Sequence, residues 1–520
     1  MNAPHRLTVG LICDSRGVTP YMVELLDWVN AQPGLEGCLE MRESDTEDWG
    51  PESPITRVVR KFVVKVEQWR YRRSAHYRLN FHDNALHIPA ANVERRTRYD
   101  VLVCIGETGV EAASSLAIDA DVLCLGFGPD GKRADAWTAF QEVKAGDAKT
   151  RFSIRRINRS RGQTEVMLSG AFPTQTYFVL NQAQLFKRAF GQLRGVLSKL
   201  ANGGFPATSE RSYPSSCAAP TAPKGHQWLA YIILVLHRTA AKKAASAMRR
   251  EERWSVSYTD QPWQEASMAN GVEIDNPLNR YFADPFLVAD GKDVFCFVED
   301  YFETRGRGVI SVLKLEGSSH RFIGHALEEA FHLSFPFVFE HDGKRYMCPE
   351  TNEAREIRIY ECVQFPLQWI LRSVAMRDVG AVDTMIFPHG ERWWMLTNLD
   401  SAGVGEYGSE LHLYHADNPL DARWTAHPQN PLRVDPELAR NAGMLRDGAT
   451  LFRVAQARGF GSYGVRSTIF EIEELNLDRY GEREVKTLTP TFKPGLSGTH
   501  HFHSNAGYST WDQKRMKSLS

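Results

Sequence analysis

Residues 283–300 read "ADPFLVADGKDVFCFVED", an apolar run, a glycine, a second apolar run and an acid. That is the pattern of two short strands joined by a tight turn. It returns as "FPFVFEHDGKRYMCPET" (335–351), "DTMIFPHGERWWMLTN" (383–398) and "NAGMLRDGATLFRVAQ" (441–456), and in weaker form as "HHFHSNAGYSTWD" (500–512). The turn glycines Gly291, Gly343, Gly390, Gly448 and Gly507 lie 52, 47, 58 and 59 residues apart. Further strand-like stretches such as "GVISVLKL" and "ELHLYHA" fill the intervals. A repeat of roughly 50 residues containing several strands is the mark of a propeller blade. Five blades fit, and "RWSVSYTD" (253–260) is the stretch expected to close the ring against the short last copy.

In a propeller each innermost strand lines the central channel, so equivalent positions share one rim. Seven residues before each turn glycine stand Asp284, Pro336, Asp383, Asn441 and His500. The second strand of each hairpin runs back to the same rim and ends at Glu299, Glu350, Asn398 and Gln456. Asp284, Asp383, Glu299, Glu350, Asn398, Gln456 and His500 are therefore expected to converge. Taken singly, each could cap a strand or bond to loop N–H groups. As a set in common register they are costly to bury unless paired or used. Crowded carboxylates push one another's pKa values apart, which is the condition for separate acid and base roles. Two acids flanking a sugar bond are the general design of glycosyl chemistry. Arg305, Arg307, Arg446 and Arg453 are candidate cations for a phosphate or sugar carboxylate, and Tyr281, Trp393, Trp394 and Tyr463 candidate stacking surfaces.

Outside the repeat the chain has a different grammar. Up to about residue 205, short apolar runs such as "LTVGLIC" (7–13), "YDVLVCIG" (99–106) and "DADVLCLGFG" (119–128) alternate with helix-like stretches. This predicts an α/β domain with a parallel sheet. Residues 206–252 begin with a Pro-, Ser- and Ala-rich linker and continue as "HQWLAYIILVLHRTAAKKAASAMRREER". Its apolar run, Trp228–Leu236, is far short of the ~20 residues that span a bilayer. Two readings stand: a helix lying on an anionic membrane surface through 226–250, or a helix packed between domains. A second basic stretch, "RVVRKFVVKVEQWRYRR" (57–73), favours the membrane.

The 520 residues carry a net charge of -1, which gives no drive toward nucleic acid. The eight cysteines are scattered without a C-x-x-C pair and predict buried thiols in a reducing compartment. The first residues contain no apolar segment with a cleavage site, so a cytoplasmic chain is expected, peripheral to the inner face of the cell membrane if the helix docks there. "GFGPDGK" (126–132) lacks P-loop spacing, and strand alternation in "HHFH" (500–503) argues against a three-histidine metal site.

With "ADPFLV", "FVED", "LSFPFVFEHDGKRYMCPET", "LHLYHADNPLDARWTAHPQNP", "RNAG" and "GTHHFHS", the segment from about 253 to 512 resembles a known propeller. That propeller lies at the N-terminus of plant glucosamine inositolphosphorylceramide transferases and in bacterial polysaccharide-locus proteins. More remotely the segment is similar to the propellers of arabinanase-type glycoside hydrolases. The likeness implies Asp284 as general base or its equivalent, Glu350 as acid, and Asp383 as the group that orients and tunes it. Glu299, Arg307, Asn398, Arg453, Gln456 and His500 then serve substrate binding. Because a separate transferase domain follows the propeller in the plant family, a propeller that only binds glycan or lipid is the alternative. The segment from about 6 to 200 resembles a formyltransferase fold through "DADVLCLGFG", "AWTAFQEV" and "GAFPT". That family uses an Asn, a His and an Asp. Here 125–143 holds neither His nor Asn, and Gln163 stands near the place of the acid. A catalytically degenerate domain is expected, with sugar N-formyl transfer a remote alternative.

These readings converge on a chain of three parts: 1–205, formyltransferase-like; 206–252, linker and basic amphipathic helix; 253–520, five-bladed propeller. The expected activity is glycosyl transfer, or related glycan chemistry, in bacterial surface polysaccharide or glycolipid assembly. A sugar nucleotide is the candidate donor and a glycan or glycolipid the acceptor, with no metal and no further cofactor called for.

Overall fold

The computed structural model describes residues 6–14, 20–42, 53–71, 98–104, 120–129, 131, 137–158, 163–203, 223–247 and 250–518. The linker expected from residue 206 lies outside them up to residue 222, as does Arg249 of the basic tail. The chain divides into two compact units, one built mainly from Met1–Ala240 and the other from Ala241–Asp400 and Gly405–Ser520.

The first unit is an α/β layer around a six-stranded sheet. Its elements are β1 (Leu7–Asp14), α1 (Pro20–Ala31), β2 (Leu35–Arg42), α2 (Pro54–Tyr71), β3 (Val101–Cys104) and β4 (Asp121–Phe127), followed by α3 (Phe140–Ala145), β5 (Lys149–Asn158), β6 (Gln163–Pro173), α4 (Phe178–Ala201) and α5 (Gly225–Ala247). The order is β2-β1-β3-β4-β5-β6. The first four strands pair in parallel, and β1, β3 and β4 carry the near-continuous apolar runs of strands covered on both faces. β5 and β6 instead pair antiparallel with their neighbours, so the sheet is mixed rather than wholly parallel. For β5 and β6 connection length requires this: only four residues separate them, whereas a parallel crossover needs a dozen or so. Gln163, placed by resemblance near a lost catalytic acid, starts the second strand of this hairpin.

Helices α2 and α5 are tied to the start of α4. Glu67 Oε2 accepts the Val179 N–H at 2.9 Å, and Tyr231 Oη accepts the Phe178 N–H at 2.9 Å. Tyr231 in turn donates to Glu67. These contacts satisfy N–H groups that a helix's first turn leaves open. Around them Val63, Val64, Trp137, Phe140, Phe178 and Trp228 form one apolar cluster. Residues 225–247 are thus a helix whose Trp228 and Tyr231 are core residues. Among the described residues no helix is long and apolar enough to cross a membrane.

The second unit is a five-bladed propeller. Four blades begin with Arg280–Asp290, Ser334–His341, Ala381–His389 and Asn441–Asp447; three are four-stranded meanders, and the third has five strands because Thr425–Ala426 and Arg433–Val434 both pair with Glu410–Ala416. In the fifth, Tyr508–Ser518 pairs antiparallel with Arg250–Thr259, so the stretch expected to close the ring does so. Trp254, Val256 and Tyr258 of that strand are buried. Between blades, Phe286, Phe335 and Phe337 pack with Met385, Phe387 and Trp394 in one cluster.

The first four innermost strands share a defect at the same place. The ladder skips two residues at Asp284–Pro285, Phe335–Pro336, Asp383–Thr384 and Ala442–Gly443. A bulge needs no ladder donor there, which is how Pro285 and Pro336 fit inside sheet strands. Asp284, Phe335 and Asp383 adopt positive φ values of 48°, 47° and 50°. The turns correct the register read from the glycines. Gly291, Gly390 and Gly448 are first in their two-residue turns, but Gly343 and Gly507 are second, after Asp342 and Ala506. The counterpart of Asp284 is therefore Phe335, not Pro336, and in the last blade the same count gives Thr499 rather than His500.

Candidate functional site

The bulge sets the direction of each side chain at the rim, and the returning strand places the next. Ala283 pairs with Glu299, Ser334 with Glu350 and Val382 with Asn398. The carboxylates of Asp284, Glu299, Glu350 and Asp383 thus enter one electrostatic neighbourhood, joined by Asp512 from the fifth blade.

One half of the ring sets an imidazole between two carboxylates. His500 Nε2 lies 3.2 Å from Asp284 Oδ1, and its Nδ1 lies 2.7 Å from Asp512 Oδ2. Asp512 is held by the backbone N–H groups of His500 and His501, which donate to its Oδ1 at 2.9 and 3.0 Å. Trp254 lies against the His500 ring with centroids 4.0 Å apart, and Tyr463 meets its edge. Burial opposes charge on His500, but the two carboxylates outweigh it and push its pKa up to about 10. Burial likewise opposes charge on Asp284, yet His500 and its neighbours hold that carboxyl down to about 2. His501, 3.7 Å from the same carboxylate, is pulled down to about 4 by burial and stays neutral.

The other half is a clamp on Asp383. Arg440 Nε donates to its Oδ2 at 2.5 Å, and Arg440 Nη2 reaches within 4.0 Å of Glu350 Oε2. Glu350 is buried beside Asp383, and both effects raise its pKa, to about 8, against the pull of Arg440. Glu299, 3.6 Å from His332 Nε2, is raised well above the carboxylate range by burial and by Asp284. One site therefore holds an ionised Asp284 and a Glu350 that keeps its proton at neutral pH. That is an acid and a base separated by environment alone.

Other expected residues are engaged elsewhere. Asn398 donates to the Glu410 and Ala439 carbonyls and accepts the Asn441 N–H, which makes it a tie between blades. Gln456 donates to the Asn441 carbonyl at 3.0 Å and approaches Asp383 at 3.5 Å. Arg453 is fully buried, bidentate to Glu482 and bonded to the Leu438 carbonyl, so its donors are taken. Arg307 and Arg305 pair with Glu328, and Arg446 is exposed beside a hairpin turn. Trp394 is core and Trp393 packs on Phe339, which leaves Tyr463 as the ring's aromatic among the two tryptophans and itself. The charges that balance the carboxylates are Arg440 and His500. Arg440, Asp512 and His501 are site residues that the strand pattern alone does not mark. Arg440 had a signal, standing next to the rim residue Asn441. His501 was assigned the face opposite His500 by strand alternation, but the strand begins only at Phe502.

Asp284, His500 and Asp512 are also the three described residues whose ligand atoms lie within 4.8 Å of one another.

The geometry has relatives. Residues 265–513 match the family model described as glucosamine inositolphosphorylceramide transferase 1, N-terminal. The propeller is of the kind found in the N-terminal regions of glucosamine inositolphosphorylceramide transferases. A protein of that name from Oryza sativa subsp. japonica is 29% identical over 346 residues, covering 60% of this chain and 46% of its own length. One from Arabidopsis thaliana is 34% identical over 236 residues, covering 43% and 30%. The chain thus spans less than half of either curated relative. Among solved structures, Zg3597, a family 117 glycoside hydrolase of Zobellia galactanivorans, is similar with 10% identity and a TM-score of 0.35. That match covers 51% of this chain and 91% of the other.

Proposed function

We propose that the chain transfers a sugar to a glycan or glycolipid acceptor, with the propeller rim as its site. The observation that carries this is the pairing of an ionised Asp284 with a proton-bearing Glu350 in one ring. In the proposed step the acceptor oxygen bonds to the anomeric carbon as the bond from that carbon to the leaving oxygen breaks. Asp284 takes the acceptor's hydroxyl proton, and Glu350 gives its proton to the leaving oxygen. Arg440 and Asp383 position Glu350 and tune it. A sugar nucleotide is the proposed donor. The names of the plant relatives support a sphingolipid-like or other lipid-borne acceptor, and the setting proposed here is surface glycolipid or polysaccharide assembly in a bacterium. A peripheral place on the inner face of the cell membrane, with residues 226–250 in contact, is proposed with it. The first unit is proposed as a formyltransferase-like domain without its catalytic set, supported by its four parallel strands and by the lack of His and Asn in 125–143.

The second reading is a propeller that binds glycan without reacting it. It is favoured by the low exposure of Asp284 and Asp383, 6% and 1%, and by the number of rim donors already engaged within the protein. Transfer of radiolabelled sugar from a panel of sugar nucleotides to lipid extract separates the two. The Asp284→Asn and Glu350→Gln variants should fold and lose transfer; full activity in both would remove the catalytic assignment.

A further inference from the structure

Helix α2 is apolar on two sides. Inward, Val63 and Val64 enter the cluster with Trp228. Outward, Ile55, Val58, Phe62, Val66 and Trp69 are 75, 68, 67, 47 and 66% exposed. Their spacing places all five on one continuous stripe along the helix. Exposed apolar residues are ordinary when scattered, but an ordered stripe of five marks a contact surface. α5, which packs into the same inward cluster, repeats the pattern with Leu229, Ile233 and Leu236, 59, 58 and 64% exposed.

The charges around the stripe say what it meets. α2 carries Arg57, Arg60, Lys61, Lys65 and Arg70 against a single acid, Glu67, which is buried and turned inward to α4. Lys61 and Lys65 are exposed and flank Phe62 and Val66 in sequence. α5 carries no acid, and its Lys243 is exposed. A second copy of this surface would set like charges against each other across an apolar contact. An anionic bilayer surface satisfies both parts at once: acyl chains for the stripe, and lipid phosphates for the lysines and arginines beside it.

We propose that α2 is the principal membrane-docking element of this chain, lying in the plane of an anionic bilayer with Ile55, Val58, Phe62, Val66 and Trp69 buried in the interface. α5 adds a second, smaller contact. This rests on the peripheral location argued above and names a different surface for it than residues 226–250.

The test is co-sedimentation of the full chain with vesicles of phosphatidylcholine alone or mixed with phosphatidylglycerol. Wild type should bind the anionic vesicles, release with salt, and bind neutral ones weakly. Phe62→Glu with Val66→Glu should lower the partition coefficient about tenfold or more. Lys61→Glu with Lys65→Glu should weaken binding to anionic vesicles and flatten its salt dependence. Because these residues are exposed, circular dichroism and melting should match wild type. If Leu229→Glu with Ile233→Glu abolishes binding while the α2 variants bind normally, the contact is α5 and the inference is overturned. Equal binding to neutral vesicles, or no binding at all with a dimer seen by light scattering, overturns it as well. The readout contains no sugar, so its failure leaves sugar transfer standing, and loss of transfer in Asp284→Asn leaves docking untouched.

Discussion

His500 Nδ1 lies 2.7 Å from Asp512 Oδ2, and the same aspartate accepts the backbone N–H of His500. The residue that shapes the histidine's loop is thus also the one that helps to charge its ring. Nε2 of that ring faces Asp284, and the Asp284 backbone N–H donates to Asp512 Oδ2 at 3.4 Å, so Asp512 reaches the candidate base both through the imidazole and directly.

A pH signature follows. The His500 pKa is raised from 6.5 to about 10, so its ion pairs contribute fully below the unfolded value near 6.5 and are lost as pH rises through 10. Urea unfolding of the propeller should therefore show a decline in stability between those two values. Asp512→Asn keeps the side-chain shape but removes the charge. It should cost about 3–5 kcal/mol near pH 7, as expected for breaking a buried pair, and flatten that decline. No decline in wild type would mean that His500 is neutral in the native protein, and an unchanged decline in the variant would assign it to another group.

Glu350 makes a prediction about rate. With its pKa at about 8, it is protonated at neutral pH and deprotonates above that value. If it is the acid, transfer should hold level through neutrality and fall as pH passes 8. Arg440 pulls this pKa down, so Arg440→Met should move the alkaline limb upward while lowering the rate through loss of the Asp383 clamp. A limb that stays in place in Arg440→Met would assign it to another group. The measurement is a pH–rate profile of sugar transfer for wild type and variant.

In the first unit, burial raises Glu67 from 4.5 to about 7 against the pull of its two hydrogen bonds. A group raised in the native state favours folding below its unfolded pKa and loses that contribution as pH rises through its folded value. Melting of this unit should weaken between about 4.5 and 7. Glu67→Gln keeps an acceptor for the Val179 N–H without a charge, so it should remove this slope and match or exceed wild type at pH 8. Glu67→Ala, which leaves that N–H without its partner, should cost about 1–3 kcal/mol. A Gln variant as unstable as Ala at pH 8 would show that the charge itself is needed.

The parts of this molecule that were legible in sequence are those with local rules. Five glycine turns between apolar runs announced the blades, and Asp284, Glu299, Glu350 and Asp383 followed from counting along strands. The count slipped by one where Gly343 stands second in its turn rather than first, because both turn types use glycine: Gly291 alone takes positive φ in its turn, whereas Asp342 and Gly343 both do. Arg453 was misread for another reason. A lone arginine in a strand looks available, and only the fold brings Glu482, 29 residues later, against it. Asp512 was silent because it follows Trp511 in an ordinary strand. Its partners arise from closure of the ring, the least local event in the chain.

That closure gives the last prediction. The family match covers residues 265–513 and so leaves out the strand Arg250–Thr259, which completes the fifth blade. Trp254, Val256 and Tyr258 are buried along it, and each large apolar side chain is worth about 1.5–3 kcal/mol when removed from water. Three of them amount to about 5–9 kcal/mol, as much as the whole margin of many domains. Without the strand, Tyr508–Ser518 also keeps an unpaired edge of ten backbone partners. A fragment spanning 250–518 should therefore unfold cooperatively, with Trp254 protected from solvent. One spanning 265–518 should aggregate or melt without a transition, despite containing the full stretch that the family model recognises. Tryptophan fluorescence and size-exclusion chromatography of the two fragments decide it: a shorter fragment that is monomeric and melts like the longer one would mean that the ring holds without its closing strand.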